Sequence, residues 1–331
     1  MITMKINRLD ELKKKFNGKK IAVIGDVMLD CYYWGIVKRI SPEAPVPVVE
    51  VDNEFFRFGG AANVAYNLVK LGAYPIPFGV IGKDTYGDIF SGLLKEANIT
   101  NEYLLIDESR PTTAKTRIIA HNQHVLRIDK ESTASISADM QNKLLENFLF
   151  VIDEIDGVIL QDYNKGVLTS RVIQEAISIA NKKGKLITVD PKFHNFFEYK
   201  NVTVFKPNRK EAEDVLGMKI RSSEDVSDAG KKLLTKLNAK YILLTLGESG
   251  IAVFEKGKNE KRMPTKARKV SDVSGAGDTV ISTLTVALSA GADIYEACYL
   301  ANYAAGVVCE EPGIVPIEVE KLFDTVIKDN Q

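Results

Sequence analysis

The chain of 331 residues has no excess of charge of either sign and no long hydrophobic run. Lysine plus arginine and aspartate plus glutamate each total 44, so the formal net charge is zero. A balanced chain has no overall field that would draw it to nucleic acid or to an anionic membrane, so any anionic ligand must be held by a local site. No apolar stretch of about 18 residues occurs, and we therefore expect no transmembrane helix.

Cysteine is also scarce. The three cysteines, Cys31, Cys298 and Cys309, are widely spaced and odd in number. This pattern argues against a disulfide framework and for a reducing compartment. The charged N-terminus, residues 1–20, lacks the apolar segment of a signal peptide. We therefore expect a soluble cytoplasmic protein, long enough for one large α/β domain with a sizeable core.

Short apolar runs rich in β-branched residues alternate with segments of helical periodicity along most of the chain. The predicted strands include 19–26, 75–82, 157–160, 185–190, 202–205, 239–247 and 250–257. The predicted helices include 59–73, 84–99, 170–184, 208–217 and three stretches from Asp278 onward. This alternation predicts an α/β fold: a three-layer, doubly wound and mostly parallel sheet with helices on both faces.

Two segments interrupt the alternation. Residues 31–58 contain prolines that forbid a helix and β-formers that favour edge strands. Residues 103–129 have the pattern of a hairpin around Asn122. We predict that these segments form a small β-rich lid. No repeat, low-complexity tract or linker divides the chain, so we expect one domain over residues 1–331.

The stretch DVSGAGD, residues 272–278, precedes a long apolar helical pattern. Gly275, Ala276 and Gly277 carry almost no side chain, so their backbone N–H groups can approach a ligand closely. The N-terminus of the following helix adds partial positive charge, and together these features predict an anion hole for a phosphoryl group. Asp278 lies in the first turn, where the helix dipole favours an ionised carboxylate that can accept a hydroxyl proton. The alternative is a helix cap, and we expect Asp278 to fill both roles.

A second group of polar residues follows the first predicted strand. The stretch GDVMLD places Asp26 and Asp30 just beyond its carboxyl end, the edge where open α/β sheets bind ligands. The stretch GGAAN, with Gly59, Gly60 and Asn63, opens a helix and allows close approach of a substrate. These residues predict contacts to the hydroxyls of a polyol. Strand-end turns and tight helix–sheet packing are the alternatives.

Two further motifs suit a nucleotide. Asn208 and Glu211 in KPNRKEAE lie three residues apart, on one helix face, and could hold a hydrated Mg²⁺ beside phosphates. A plain helix start with a capping box predicts the same residues. Thr245, Gly247 and Gly250 in LLTLGESG suit contact with a nucleotide phosphate, although turn chemistry also explains them.

Taken in their order along the chain, the five motifs GDVMLD, GGAAN, KPNRKE, TLGESG and DVSGAGD resemble the ribokinase-like (PfkB) carbohydrate kinases over residues 19–320. The resemblance implies a sugar kinase that uses ATP and Mg²⁺, with Asp278 as the base and Gly275 to Gly277 as the anion hole. A monovalent cation such as K⁺ is a further expectation. The implied nucleotide-binding residues are Asn208, Arg209, Lys210, Glu211, Thr245, Gly247, Gly250 and Asn302, with Mg²⁺ held near Asn208 and Glu211 through water. Two departures are Val273, where many members have threonine, and the segment 309–317, where many have a K-x-G-T-like stretch.

A narrower resemblance extends through the predicted lid. Residues 25–51, 110–129 and 189–192 closely resemble the heptose 7-phosphate kinase module of ADP-heptose biosynthesis. It implies transfer of the γ-phosphate of ATP to the anomeric oxygen of D-glycero-D-manno-heptose 7-phosphate. Arg117, Arg127 and Lys192 are the candidate cations for the phosphate that this substrate already carries.

The resemblance also implies partners. We expect a homodimer through the lid, and a stand-alone kinase without a C-terminal nucleotidyltransferase domain. One alternative is another sugar or nucleoside kinase of the same family, of the ribokinase or phosphofructokinase type. A second is a sugar- or nucleotide-binding regulator that has lost catalysis. A dinucleotide oxidoreductase is disfavoured because no G-x-G-x-x-G follows the first strand.

Overall fold

The first apolar run forms the first strand, and strands and helices then alternate much as the sequence predicts. The computed structural model describes residues 4–121, 123–267, 271–311 and 313–330. The strands are β1 Lys20–Gly25, β2 Val27–Ile40, β3 Pro47–Gly60, β4 Tyr74–Gly82, β5 Leu104–Asp107, β6 Ala114–Ala120, β7 Gln123–Lys130, β8 Gly157–Gln161, β9 Leu186–Asp190, β10 Val204–Phe205, β11 Tyr241–Thr245, β12 Ile251–Glu255 and β13 Lys261–Met263. The helices are α1 Ile6–Phe16, α2 Ala61–Lys70, α3 Thr85–Glu96, α4 Ala138–Val151, α5 Ser170–Lys182, α6 Arg209–Leu216, α7 Ser223–Leu237, α8 Ala276–Ser289, α9 Ile294–Cys309 and α10 Val319–Asn330.

The main sheet has nine strands in the order β13-β12-β11-β10-β9-β8-β1-β4-β5. All neighbours from β11 to β5 are parallel, whereas β12 and β13 pair antiparallel at one edge. Strand β1 lies between β4 and β8, so the strand order reverses beside it. That reversal opens a crevice at the carboxyl edge of the sheet, where such folds bind ligands.

Helices cover both faces of this sheet. One hydrophobic core contains apolar residues of α1, α2, α3, α8, α9 and α10, and the other contains those of α4, α5, α6 and α7. The parallel strands are buried on both faces, which is why they read as continuous apolar runs. The predicted three-layer α/β fold is confirmed.

The smaller sheet has four strands in the order β3-β2-β6-β7 and corresponds to the predicted lid. Only Asp26 separates the end of β1 from the start of β2, so the chain passes directly from the main sheet into the lid. One boundary was wrong: residues 104–107 of the predicted lid segment form β5, which pairs parallel with β4 in the main sheet. Strands β6 and β7 pair antiparallel as a hairpin, but Asn122 lies outside the described residues.

Three helices were not predicted from the sequence: α1, α4 and α7. The apolar stripe of α1 consists of Leu9, Leu12 and Phe16, all buried, and its lysines obscure that spacing in the sequence. Helix α7 begins with a capping box at Ser222 and Asp225, a signal that the sequence does contain. Within the described ranges, no helix combines the length and apolarity needed to cross a membrane.

Candidate active site

Four buried polar residues meet at the carboxyl edge of the main sheet. Asp26 follows β1, Gln161 ends β8, Asp190 ends β9 and Lys206 follows β10. Each of these residues is at most 5 % exposed. Parallel strands bring their carboxyl ends to one edge, so residues distant in sequence share one crevice. The N-terminus of α8 closes this crevice and adds Asp278, which is 4 % exposed.

Asp278 accepts three hydrogen bonds from residues that the structure describes. Asn63 Nδ2 donates to Oδ2 at 2.8 Å, while Gln161 Nε2 and Tyr163 Oη donate to Oδ1 at 3.1 and 2.8 Å. Its carboxylate does not cap the helix, and this part of the prediction was wrong. The N-cap is Gly275, which provides no side-chain cap, and Asp278 turns instead toward α2 and β8. The prediction that Asp278 lies in the first helical turn is confirmed.

The environment of Asp278 raises its pKa. Burial is the largest cause, hydrogen bonds from Asn63 and Tyr163 and the charge of Lys206 oppose it, and the nearby Asp190 charge adds to it, giving a pKa of about 6. The expectation from the helix dipole alone was an ordinary ionised carboxylate. A pKa near 6 leaves Asp278 mostly ionised at neutral pH and brings it close to the range that suits a general base.

The glycine loop before α8 is shaped for close approach. Gly275 has φ +79°, a left-handed conformation, and a Cβ there would lie 3.2 Å from Asn63 Nδ2. A Cβ at Gly277 would lie 3.6 Å from Lys206 Nζ. The N–H of Ala276 donates to the carbonyl of Val273, which leaves the N–H groups of Gly275 and Gly277 as the candidate anion-hole donors.

Lys206 and Asp190 form a buried ion pair that sequence reasoning missed. Their Nζ and Oδ2 atoms lie 3.0 Å apart, and both residues are at most 5 % exposed. Asp190 Oδ2 also accepts from Gln161 Nε2 at 3.2 Å. Both residues stand at strand ends, in the stretches VDPK and KPN, so position relative to a strand was the signal that could have found them. Both members of the pair lie beside Gly277, where a Cβ would be 3.6 Å from Lys206 Nζ and 3.7 Å from Asp190 Oδ2.

Asp26 uses its oxygens to hold a loop. It accepts from the backbone N–H of Tyr163 at 2.8 Å, of Lys165 at 3.0 Å and of Val167 at 3.1 Å. Burial is the largest influence on its pKa, which is raised in spite of these donors. Sugar binding by Asp26 stays a prediction, and the contacts present in the structure position the loop that carries Tyr163.

Asp30 and Arg117, both predicted to bind substrate, do lie together. They form an ion pair across the neighbouring strands β2 and β6. Burial raises the pKa of Asp30 although Arg117 opposes it. A Cβ at Gly59 would lie 2.6 Å from Asp30 Oδ2, so glycine is needed there for close packing. Arg127 lies opposite Arg117 on β7 but has a 60 % exposed side chain that pairs with Asp129.

Gly60 ends β3 and begins the turn into α2. It has φ +58°, and a Cβ there would collide with the carbonyl oxygen of Asp26. That same carbonyl accepts from the N–H of Ala61 at 3.0 Å. The structure thus supports the packing alternative for Gly60, and a contact with sugar stays a prediction.

Asn208 and Glu211, predicted to lie beside the nucleotide, form a capping box. Asn208 Oδ1 accepts from the N–H of Glu211 at 2.9 Å, and Glu211 Oε2 accepts from the N–H of Asn208 at 2.8 Å. Glu211 Oε1 forms an ion pair with Lys192. Lys192 Nζ also lies 5.4 Å from the ring centroid of Tyr163. Lys192 was predicted to hold the substrate phosphate, whereas in this structure its ammonium group pairs with Glu211 at the start of α6.

The fit of Mg²⁺ follows from these donors. Among the described ranges, no group of three His, Cys, Asp or Glu side chains could hold a metal ion. Glu211 already accepts from its own helix and pairs with Lys192, so it suits contact with a hydrated ion through water. Glu211 and Asn208 would then hold Mg²⁺ weakly, and nucleotide phosphates would supply the other oxygens. Bound there, the ion would neutralise phosphate charge.

Arg209 and Lys210, the two basic residues between Asn208 and Glu211, differ in their contacts. Arg209 donates to the carbonyl of Leu246 at 3.2 Å and to Ser249 Oγ at 3.3 Å, which ties α6 to the loop after β11. Lys210 is exposed and pairs with Asp214 one turn along α6. Their predicted contacts with nucleotide are untested, and Arg209 is the one held near the loop 245–250.

The loop after β11 turns at two glycines. Gly247 has φ +62° with open space around it, whereas a Cβ at Gly250 would collide with the carbonyl of Met263. Thr245 ends β11, and its N–H donates to the carbonyl of Pro207 at 3.0 Å. This bond places Thr245 beside the start of α6. The predicted phosphate loop and the N-x-x-E motif are therefore neighbours in space.

Asn302, predicted to lie near the adenine, is buried in α9. Its Nδ2 donates to the carbonyl of Pro264 at 2.7 Å and so anchors the segment after β13. Four residues along α9, a Cβ at Gly306 would lie 2.8 Å from the N of Ala267. These contacts hold the segment 264–267 against α9.

Arg57 is a cation of the lid that sequence reasoning missed. It stands opposite Asp30 in the β2–β3 register, and its Nη1 donates to the carbonyl of Ile314 at 2.6 Å. Its guanidinium carbon lies 5.8 Å from the ring centroid of Tyr32, over which Arg117 lies at 5.3 Å. No ion pair of Arg57 with a carboxylate is found in the described part of the chain. Only strand register, which the sequence does not reveal, brings Arg57 to this face.

Sequence comparison places the chain among known kinases. Residues 18–320 match the pfkB family of carbohydrate kinases. The chain is 46 % identical over 304 residues to the bifunctional protein HldE of Helicobacter pylori strain Shi470, which covers 92 % of this chain and 65 % of that protein. It is 43 % identical over 307 residues to the HldE of Desulfatibacillum aliphaticivorans, covering 93 % and 63 %. The chain thus spans less than two thirds of the length of these relatives.

Solved structures with the same fold are more distant in sequence. Phosphofructokinase-2 of Escherichia coli has a TM-score of 0.75 at 18 % identity, with 94 % of this chain and 99 % of that chain covered. Arabidopsis thaliana ribokinase complexed with ribose and ATP has a TM-score of 0.73 at 21 % identity, with 93 % and 99 % covered. These similarities establish the ribokinase-like fold. With a family match over most of its length, the chain belongs to the pfkB family of carbohydrate kinases and is a phosphotransferase that acts on a sugar.

Proposed function

We propose that the chain transfers the γ-phosphate of ATP to the anomeric O1 of D-glycero-D-manno-heptose 7-phosphate and so forms the 1,7-bisphosphate. The observation that carries the kinase chemistry is Asp278, buried beside the glycine loop with Lys206 close by. The choice of sugar is supported by the lid sequence and by the similarity to proteins named HldE. The product would serve ADP-heptose synthesis.

Asp278 is the base in this proposal. The O1 hydroxyl donates its proton to the carboxylate as the oxygen attacks the γ-phosphorus, and the bond from that phosphorus to the ADP oxygen breaks. The N–H groups of Gly275 and Gly277, the N-terminus of α8 and the Lys206 ammonium group stabilise the negative charge of the transferring phosphoryl group. ATP is bound with a divalent metal, Mg²⁺ in this proposal. A requirement for K⁺ stays a prediction.

Cations of the lid suit the phosphate that the substrate already carries. Arg117 and Arg57 both lie over the ring of Tyr32, and Arg57 has no carboxylate partner within the described residues. Arg127 extends from the neighbouring strand. We assign the 7-phosphate to Arg57 and Arg117 first. The role of Lys192 as a phosphate clamp is weakened by its pairing with Glu211.

The test is a kinase assay with heptose 7-phosphate, fructose 6-phosphate, ribose and a nucleoside, with products identified by ³¹P NMR. The expected result is a new anomeric phosphate on the heptose 7-phosphate and a much lower kcat/KM for the other acceptors. Preference for fructose 6-phosphate or ribose would overturn the choice of sugar and leave the fold intact. If ATP is neither hydrolysed nor used to phosphorylate any of these acceptors, the alternative of a sugar- or nucleotide-binding regulator is favoured.

The matched variant is Asp278→Asn. Loss of the base should lower kcat by roughly 10³-fold or more while ATP binding, measured by calorimetry, stays near that of the unchanged protein. A variant with near-normal kcat would show that Asp278 is not the base.

A further inference from the structure

The carboxylate of Asp278 has a defined set of remaining acceptor positions. An ionised carboxylate offers about four lone-pair directions, two on each oxygen. Gln161 Nε2 and Tyr163 Oη both donate to Oδ1, and Asn63 Nδ2 donates to Oδ2. Among the residues that the structure describes, protein donors therefore fill both directions on Oδ1 and one of the two on Oδ2. Counted over these residues, one acceptor direction remains, on Oδ2.

We propose that Tyr163 and Gln161 are positioning residues that saturate Oδ1 of Asp278, so that Oδ2 is the oxygen that takes the proton of the acceptor hydroxyl. This inference rests on the proposed role of Asp278 as the base. The O–H bond of the acceptor breaks, its proton moves to Oδ2, and its electron pair forms the new O–P bond. Without the two donors on Oδ1, the carboxylate could rotate and present either oxygen.

Tyr163 is well held for this task. Its backbone N–H donates to Asp26 Oδ2 at 2.8 Å, and the ammonium group of Lys192 lies 5.4 Å from its ring centroid. Burial and the negative charges of Asp278 and Asp190 keep the pKa of its phenol well above the ordinary value. The hydroxyl therefore stays protonated at working pH and remains a donor to the base.

Gln161 is oriented by two carboxylates. Its Nε2 donates to Asp190 Oδ2 at 3.2 Å as well as to Asp278 Oδ1 at 3.1 Å. A flipped amide would turn its carbonyl oxygen toward both negative charges, so the orientation with Nε2 inward is the favourable one. Gln161 ends β8 and is fully buried, so the main sheet itself fixes this donor.

Charged and titratable groups face Asp278 from several elements. They are Asp190 and Lys192 from β9 and the residues after it, Lys206 after β10, and Tyr163 after β8. The facing side chain of α2 is the uncharged Asn63. Removing the Tyr163 hydroxyl leaves all of these charges in place. A change in the pH profile of such a variant therefore reports the lost hydrogen bond.

The test compares Tyr163→Phe with Tyr199→Phe in the full chain. Tyr163 is half-buried and Tyr199 fully buried, and the hydroxyl of Tyr199 donates to the carboxylate of Asp162 at 2.7 Å, in the same loop but away from the base. Thermal unfolding shows that each variant is folded. The pH dependence of kcat and kcat/KM is then measured with whichever acceptor the unchanged enzyme prefers.

We expect Tyr163→Phe to lower kcat about tenfold, because the carboxylate of Asp278 can then rotate away from the orientation in which Oδ2 faces the acceptor hydroxyl. The acid side of its pH–rate profile (the acid limb) should move to higher pH by about one unit, because the lost donor favoured the ionised form of the base. The KM for ATP should not change. Tyr199→Phe should lose stability without moving the acid limb. An unmoved limb for Tyr163→Phe, or an equal shift in both variants, would overturn the proposal.

A second measurement separates this inference from the proposed function. In an Asp278→Asn background, Tyr163→Phe should have no further effect on kcat, because the hydroxyl acts only through the base. A multiplicative further loss in that background would overturn the positioning role. If Asp278→Asn alone keeps near-normal kcat, the proposed base is wrong, and that result is visible before Tyr163 is changed.

Discussion

At the scale of single residues, Asp278 combines a cost in stability with a gain in reactivity. Burial is the main cause that raises its pKa to about 6, so the folded state binds a proton there more tightly than the unfolded chain does. The contribution of this residue to the free energy of unfolding therefore falls as pH rises from about 4 to about 6. Above that range the buried carboxylate is ionised and destabilises the folded state to its full extent. In that ionised form it is able to accept a proton.

The same pKa predicts the pH profile. A base must be deprotonated to accept a proton, so kcat/KM should fall about tenfold per pH unit below pH 6 and level off above pH 7. Steady-state rates between pH 5 and 8 would show this limb. Residual activity of Asp278→Asn provides the control, since it should lack a limb near pH 6. A flat profile down to pH 5 would contradict the assignment.

Lys206→Met tests the buried ion pair. The substitution leaves the Asp190 carboxylate buried and uncompensated, which should lower the free energy of unfolding by about 3–5 kcal/mol. Urea denaturation measures this loss. Lys210→Met provides the comparison, because it removes the exposed pair with Asp214 and should cost less than about 1 kcal/mol. Equal losses in the two variants would show that the buried pair is not the stronger one.

At the scale of elements, helices α6 and α7 both begin with a capping box but lie in different parts of the fold. Helix α6 begins with the capping box of Asn208 and Glu211, and α7 begins with that of Ser222 and Asp225. A capping box stabilises a helix wherever it lies. The α6 box differs because Glu211 also pairs with Lys192, and we predict that it is part of the nucleotide site.

Asn208→Ala and Ser222→Ala form a matched pair. Each removes one N-cap and should lower the free energy of unfolding by about 1 kcal/mol. Only Asn208→Ala should also raise the KM for MgATP, because only α6 borders the predicted phosphate site. Chemical denaturation and steady-state kinetics measure the two effects. An unchanged KM for MgATP in Asn208→Ala would show that Asn208 only caps α6 and does not help to bind the nucleotide.

The elements also show how far sequence reasoning extends. The alternation of apolar runs and helical patterns predicts the parallel sheet, and DVSGAGD predicts the loop and first turn of α8. Lys206 and Asp190 were missed because a sequence does not reveal which strand ends become neighbours. Arg57 was missed because its position depends on the register of β2 and β3, which lies in backbone pairing and not in residue type.

At the scale of the whole molecule, the lid exposes apolar residues that suit a partner. Leu126 and Ile128 alternate on β7 and so share one face, each at least 50 % exposed. We expect a homodimer through the lid. The substitution Leu126→Glu should convert this dimer to a monomer, as measured by light scattering. Ile106→Glu is the control, because Ile106 is equally exposed on β5 of the main sheet. A monomeric unchanged protein, or dissociation by both variants, would contradict the proposal.

The passage from the main sheet to the lid has a consequence for movement. Asp26 is the only residue between β1 and β2, and backbone N–H groups of the loop 163–167 hold its carboxylate. A pivot at Asp26 would therefore pull on the loop that carries Tyr163 and disturb the proton acceptor. If the lid opens and closes, we therefore expect the movement to come from bending of the long strands β2 and β3 beyond Asp30. The outer ends of β2 and β3 could then move while Asp26, the loop 163–167 and the carboxylate of Asp278 keep their positions.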